Sequence, residues 1–327
     1  MRFVSVVLMG LGVGLGGVNA QLYPGQSNLN HTCGLEPPIL SCSPQAQANL
    51  TDSCCTETYG GLVLSTQFWS TYTGLESEGQ VLPKESWGLH GLWPDFCDGS
   101  FGQYCDLSRQ YDPIPSPNTT TGTPSGTPVP PYEGPSIETF LEAFGKFDLI
   151  AWMNKFWINQ NFPNPILWAH EFSKHATCFS TFSLPCYGPL APPNTEVLDF
   201  FETTISYFLA LPTYSFLATA DILPSNSTTY TLSRLQDALK SAHGAMPYIG
   251  CSGPSWNSTE EGRGSLDSGR TVLSEVWYYY HVLGRVQDGR GEAKVPVEAG
   301  GNGGSVSNCV KVEGGLMYPE RSVGSEV

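Results

Sequence analysis

The chain has 327 residues, with 15 Lys and Arg against 30 Asp and Glu, and a formal net charge of −15. That balance excludes a basic coat protein for nucleic acid. It leaves open an enzyme that grips one phosphate with a few local charges, and it suits acidic surroundings, where carboxylate protonation weakens the repulsion of a polyanion.

Residues 1–20, MRFVSVVLMGLGVGLGGVNA, set one arginine before an apolar, glycine-broken run that ends in the small-residue site Val18-Asn19-Ala20. This is the pattern of a secretory signal peptide, so the mature chain is expected to begin at Gln21. The run is short for a membrane anchor and lacks a basic stop-transfer flank. No later stretch is apolar for long enough to span a bilayer, so the mature form is expected off the membrane, secreted or held in a vacuolar or lysosome-like compartment. About 300 residues then remain, enough for one large domain with a real core.

Ten cysteines follow the signal segment: Cys33, Cys42, Cys54, Cys55, Cys97, Cys105, Cys178, Cys186, Cys251 and Cys309. An even number in a secreted chain implies disulfides. A metal site would need paired short spacings such as C-x-x-C, and none occurs. Spacing alone does not assign the pairs. Five N-x-Ser/Thr sequons, at Asn30, Asn49, Asn118, Asn226 and Asn257, suit a glycoprotein.

Residues 21–61 are loop-rich and hold four of the cysteines, so they read as an arm stapled onto the domain. LVLSTQFW (62–69) is apolar and aromatic without a breaker, which predicts a strand. Ser86 to Gly99 reads SWGLHGLWPDFCDG, with His90 between two tryptophans; Gly88, Gly91 and Pro94 are expected to bend it and allow close approach to a ligand. Residues 113–135 are rich in Pro, Thr, Ser and Gly and read as a mobile surface loop inserted within one domain.

Ser136 to Phe144 and Lys146 to Trp157 read as helical. So does the stretch from Asn194-Thr195 to Pro212, whose Val197, Leu198, Phe201, Ile205, Phe208 and Leu209 recur at helical spacing. Thr231 to His243 is a further helix stopped by Gly244, with His243 complementing its C-terminus. Val272 to Leu283 predicts a strand in which His281 is structural, and residues 310–327 read as a loose tail. Helices beside separate strands give an α+β fold.

The most concentrated chemistry lies in Leu167 to Ser180, LWAHEFSKHATCFS, which contains no Gly or Pro and so permits a helix. At about 100° per residue, with His170 at zero, Lys174 falls at about 40°, Glu171 at about 100° and His175 at about 140°. All four ionisable groups share one side. Ala169, Phe172, Ala176 and Phe179 form a separate apolar side. A solvated charged face is the plain alternative for this stretch taken alone.

HGLWPD (90–95) and HEFSKHATC (170–178) together resemble the ribonuclease T-two family of secreted, base-non-specific ribonucleases. The likeness runs from about Cys33 to Cys309 and includes LVLSTQFW. It departs at Phe172 and Ala176, where the family usually has Trp and Gly; both lie on the apolar side. The resemblance implies a single ribonuclease-like catalytic domain over 21–309, with a central, mostly antiparallel sheet flanked by helices and stapled by disulfides. It further implies the pairs 33–55, 42–97, 54–186, 105–178 and 251–309.

RNA carries its own nucleophile, the ribose 2′-hydroxyl. Two histidines on separate segments suit acid–base catalysis of its attack, since imidazole serves as either partner near neutral or acid pH. The resemblance implies that His175 is the base and His90 the acid in forming a 2′,3′-cyclic phosphate, with roles exchanged when water opens it. Glu171 would orient or polarise His175 or bond the phosphate, while Lys174 and His170 would hold phosphate. Trp93 and Asp95 would form a base site, Trp93 by stacking and Asp95 by accepting from an exocyclic amine. Phe101 stands where relatives have a tyrosine and would stack without a hydroxyl. The expected partner is single-stranded RNA and not DNA, the expected state a monomer, and no cofactor or metal is implied.

Two rivals remain. A zinc hydrolase could use His170, Glu171 and His175, although H-E-x-x-H sets its ligands four apart on one face and these histidines are five apart. A secreted glycoprotein with a dead site could bind RNA or a cell surface; the acidic charge and the complete His/Glu/Lys set count against it.

Overall fold

The computed structural model describes residues 33–35, 37–253, 270–288, 293–302 and 306–327. The expected signal peptide, His31 and the sequons at Asn30 and Asn257 lie outside the described residues. The other three sequon asparagines, Asn49, Asn118 and Asn226, are exposed.

In chain order the first strands are β1 (Leu62–Phe68) and β2 (Gly88–Asp95). The helices α1 (Glu138–Glu142), α2 (Phe147–Phe156), α3 (Asn164–Lys174), α4 (Thr195–Leu209) and α5 (Thr213–Thr219) follow. Then come β3 (Thr229–Tyr230), α6 (Leu232–His243), β4 (Tyr248–Ser252), β5 (Thr271–Val282), β6 (Lys294–Val297) and β7 (Leu316–Met317). The seven strands form one sheet in the order β2-β1-β5-β7-β3, with β4 and β6 also paired to β5. Among the described strand pairings, β5–β7 alone is parallel. The fold is α+β with helices against a mostly antiparallel sheet, as the sequence implies.

Period-two alternation divides the sheet residues between two faces. Val63, Leu92, Val276 and Tyr278 pack with Trp157, Trp168, Phe172 and Phe201 in the main core under the helices. Leu62, Leu64 and Tyr279 turn to the other face, with Trp93 and Trp277 at the margin of a smaller cluster. Five disulfides, Cys33–Cys55, Cys42–Cys97, Cys54–Cys186, Cys105–Cys178 and Cys251–Cys309, coincide with the expected pairs.

The structure corrects several readings. The stretch 86–99 bends less than expected: Gly88, Gly91 and Pro94 all lie in β2, whose one irregularity is at His90, although Gly91 does allow a close approach, that of Glu171. β2 is the edge strand, and an edge tolerates a proline, which donates no hydrogen bond. The stretch 167–180 is not one helix: α3 stops at Lys174 and Ala176–Cys178 forms a tight 3-10 turn. Thr177 Oγ1 donates to Ser173 O at 2.8 Å and accepts from Cys105 N at 3.0 Å, while Cys178 is bound to Cys105, so the chain must turn toward that segment.

Residues 113–135 are not structureless. Thr120 N and Thr127 O (2.9 Å) and Val129 N and Asn118 O (2.9 Å) close a small hairpin-like arm, and threonine hydroxyls bond across its tip. Residues 310–327 are not a loose tail. β7 pairs with β3 and β5, and Tyr318, fully buried, accepts from Trp87 Nε1 at 3.0 Å. His243 does not serve as a cation for the end of α6. It is buried between the edges of Tyr278 and Tyr280, and burial lowers its pKa to about 4. Gly244, at φ 95°, closes that helix instead.

Candidate active site

His90 owes its position to an irregularity in β2. The β1–β2 register steps from Thr66↔Gly91 to Gln67↔Leu89, which leaves His90 as the extra residue of a bulge. A bulge re-aims a side chain. The His90 carbonyl accepts from Trp157 Nε1 at 2.7 Å, and its ring lies 4.8 Å from Phe68 and 4.9 Å from Trp93.

Helix α3 crosses this edge of the sheet and seats Trp168, Ala169 and Phe172 in the core. That seating forces Glu171, one residue before Phe172, against β2. Glu171 is fully buried, and a Cβ at Gly91 would overlap its Oε2. Glycine at 91 is therefore what admits the carboxyl. Glu171 Oε2 accepts from Trp93 Nε1 at 2.8 Å and lies 4.0 Å from His175 Nε2. Glu171 Oε1 lies 3.5 Å from His90 Nε2 and has no hydrogen bond among the described residues. One carboxyl thus stands between two imidazoles from separate elements.

Electrostatics follow from burial. Desolvation raises the Glu171 carboxyl to about 7, opposed by the nearby His170 and Lys174 charges and by the Trp93 hydrogen bond. Burial, then the charges of His170 and Lys174, lowers His90 to about 3. Burial pushes His175 well below the usual imidazole range, aided by Lys174, His170 and His90. Lys174 is lowered by its own burial. Burial thus favours the neutral form of His90 and His175. An incoming phosphate would reverse this, since an opposite charge within a few ångströms favours the protonated form.

Trp93 is held on several sides. Its ring stacks on His175 at 4.9 Å and 16°, meets His90 and Trp277 edge-on, and gives its N–H to Glu171. It clamps the two catalytic candidates on α3 and its cap, so a base could use only the surface those contacts leave. Asp95 lies two residues along β2, and burial raises its carboxyl to about 7. It forms an isolated bridge with Phe101, whose ring is 64% exposed. His170 sits 6.4 Å from the His175 ring, and its Nδ1 is 2.8 Å from Asp112 Oδ2.

His170, Glu171 and His175 bring candidate ligand atoms within 4.8 Å of one another, so this trio could hold a cation. The helical-angle argument against it weakens because α3 ends at Lys174. Two of the available atoms are already engaged, however: His170 Nδ1 with Asp112 and Glu171 Oε2 with Trp93.

The sequence profile of the Ribonuclease T2 family matches residues 60–288, the segment that holds both halves of this site. The chain belongs to the ribonuclease T2 family. It is 36% identical over 274 residues to Ribonuclease Le2 of Lentinula edodes, covering 83% of this chain and 92% of that protein. It is 37% identical over 252 residues to a Ribonuclease T2-like protein of Aspergillus fumigatus, covering 77% of this chain but only 50% of that one. The chain thus spans about half the length of some of its relatives. Among solved structures it resembles Actibind, a T2 ribonuclease, with a TM-score of 0.63 and 31% identity over 87% of this chain and 96% of that chain.

Within this T2 framework, Phe172 and Ala176, the two departures from the family pattern, are fully buried in the main core. Their substitution leaves the ionisable set in place. Several neighbours of the site escaped sequence reasoning. Phe68 reaches it from β1, Trp157 from the end of α2, and Asp112 and Tyr104 from the segment before the arm. The 2-residue alternation of β1 puts Phe68 on the same face as Leu64. No motif in the sequence marked Asp112.

Proposed function

We propose that this T2 family member is a secreted endoribonuclease that cuts single-stranded RNA with little base specificity and without a metal, acting as a monomer. The observation that carries this reading is Glu171, buried between His90 and His175 with one oxygen toward each. His175 removes the 2′-hydroxyl proton, and the 2′ oxygen attacks phosphorus. The P–O5′ bond breaks, and His90 protonates the departing oxygen. Water then opens the 2′,3′-cyclic phosphate to a 3′-phosphate, with the two histidines exchanging roles. Glu171 steadies the protonated imidazole on either side, and Lys174 and His170 meet the charge that gathers on phosphorus.

Because His90 is the acid, the leaving nucleoside lies on its side of the site. A cleft of about 480 Å³ opens there, lined by Phe68, Tyr72, Gln160, Leu167 and Glu275 among others. The nucleoside that keeps its 2′ oxygen falls toward Asp95 and Phe101. The optimum is expected on the acid side, from the family resemblance and the net charge of −15, since the acid partner must be protonated.

The test is a single-turnover reaction on RNA and on the matching DNA, with and without chelator. RNA cleavage through a 2′,3′-cyclic phosphate, chelator-resistant, with DNA intact, supports the reading. The convergence of His170, Glu171 and His175 favours one alternative, a metal-dependent hydrolase; loss of activity in chelator and its return with zinc would establish that instead.

A further inference from the structure

His170 is the one ionisable side chain of the site whose ring is gripped from behind. Asp112 is fully buried, and its Oδ2 lies 2.8 Å from His170 Nδ1. The same oxygen accepts from Tyr104 Oη at 3.1 Å, and Asp112 Oδ1 accepts from Ile114 N at 2.8 Å. Tyr104 Oη accepts in turn from Ser116 N at 3.1 Å. Burial and the adjacent Asp112 push the Tyr104 hydroxyl well above its ordinary range, so it keeps its proton and donates a hydrogen bond to Asp112.

These contacts have one consequence for the imidazole. A carboxylate offers only acceptors, and the tyrosine hydroxyl spends its proton on that carboxylate. His170 Nδ1 therefore carries a hydrogen in either charge state, and the ring is turned so that Nε2 points away from Asp112. An imidazole so held leaves Nε2 as the ring nitrogen not engaged by Asp112, and on protonation that atom becomes a donor to a phosphate oxygen.

We propose that Asp112, supported by Tyr104, is a positioning residue that fixes the tautomer and direction of His170 so that it holds the scissile phosphate. The inference rests on the ribonuclease reading above. The node also anchors the 113–135 arm, because Tyr132 N donates to Asp112 O at 3.0 Å. The base of the arm and the phosphate-holding histidine thus share one buried residue: the carboxylate holds His170, while the backbone carbonyl takes Tyr132 N and Oδ1 takes Ile114 N.

The test is a double-mutant cycle read with inorganic phosphate as inhibitor and a dinucleoside monophosphate as substrate. His170→Ala and Asp112→Asn should each weaken phosphate inhibition and raise KM about tenfold, the scale of a lost hydrogen bond to a charged group. The change in kcat should be smaller, because this contact holds phosphate in ground and transition states alike. The double variant should be no worse than His170→Ala. Tyr104→Phe should shift both readouts in the same direction by less, and it decides the question through its own cycle with His170→Ala if Asp112→Asn does not fold. In the wild-type protein, nitrogen-15 spectra should show the proton on Nδ1 of His170. Additive losses, or phosphate inhibition unchanged in Asp112→Asn, would overturn the inference. A His170→Ala enzyme inhibited like wild type would overturn it too. A wild-type protein inert on RNA would instead sink the functional reading.

Discussion

Among the described residues two glutamates are fully buried, Glu57 and Glu171, and they are treated in opposite ways. Glu57 is saturated. Its Oε1 accepts from Tyr59 N, Gly60 N, Ser180 N and Ser180 Oγ, and its Oε2 from Thr181 N and Thr181 Oγ1, all within 3.2 Å. It ties the disulfide-rich arm to the turn after α3. Glu171 has one hydrogen bond, from Trp93, and an oxygen left facing His90. A buried carboxyl without its full set of donors is expensive. The fold saturates the carboxyl that holds segments together and leaves half-satisfied the one that faces the two imidazoles.

The comparison is broken or sharpened by substitution. The largest expected effect is at the imidazoles that flank Glu171. His90→Ala or His175→Ala should lower kcat by roughly 10²–10⁴-fold, and the double variant should lose little more, because the two act as a unit. Glu171→Gln comes next, with activity down about 10²-fold and a melting temperature unchanged or raised, since a buried charge-bearing group is removed. A large loss of stability there would show that Glu171 is structural after all.

Glu57→Gln should do the reverse. An amide N–H would face backbone and hydroxyl donors, costing about 2–4 kcal/mol of stability, while kcat per folded molecule stays at the wild-type value. Denaturant unfolding and active-site titration separate the two quantities, and an unfolding midpoint equal to wild type would erase the contrast.

The smallest effect concerns Asp95, whose burial raises its carboxyl from 3.8 to about 7. Between those values the folded state binds more proton than the unfolded state, so this group lowers stability as pH rises through that window. Asp95→Asn should therefore gain on wild type from pH 4 to pH 7 in thermal melts. A difference that is flat across that range would place the Asp95 carboxyl in water.

What the sequence disclosed, and what it hid, follows chain distance. His90 and Trp93 are three residues apart on β2, and His170, Glu171, Lys174 and His175 occupy one turn and a half, so local spacing exposes them. Asp112 and Trp157 reach the site only through tertiary packing, which no local period encodes. Gly88, Gly91 and Pro94 read as bends and hid the strand over 88–95, which the edge position and the bulge at His90 make possible. The end of the chain misled for a related reason. Leu316, Tyr318, Arg321 and Ser325 are buried, but the apolar run Leu316-Met317-Tyr318 is only three residues long and Arg321 and Ser325 stand among polar or small neighbours, so no long apolar run announces them. The helix stripe of α4 was easier: Val197, Phe201, Ile205 and Phe208 are all buried as expected, whereas Leu209 is left 62% exposed at the helix end.

Strand β5 pairs with β1, β4, β6 and β7, whereas β2 has β1 alone as a strand partner. Amide protons of β5 should exchange with solvent only when the whole molecule opens, while those near the His90 bulge should exchange through smaller, local excursions. The strand that carries His90 can therefore breathe while the centre of the sheet stays shut. Such motion at the rim would let a cleaved strand leave without disturbing the core that rebuilds the site for the next one.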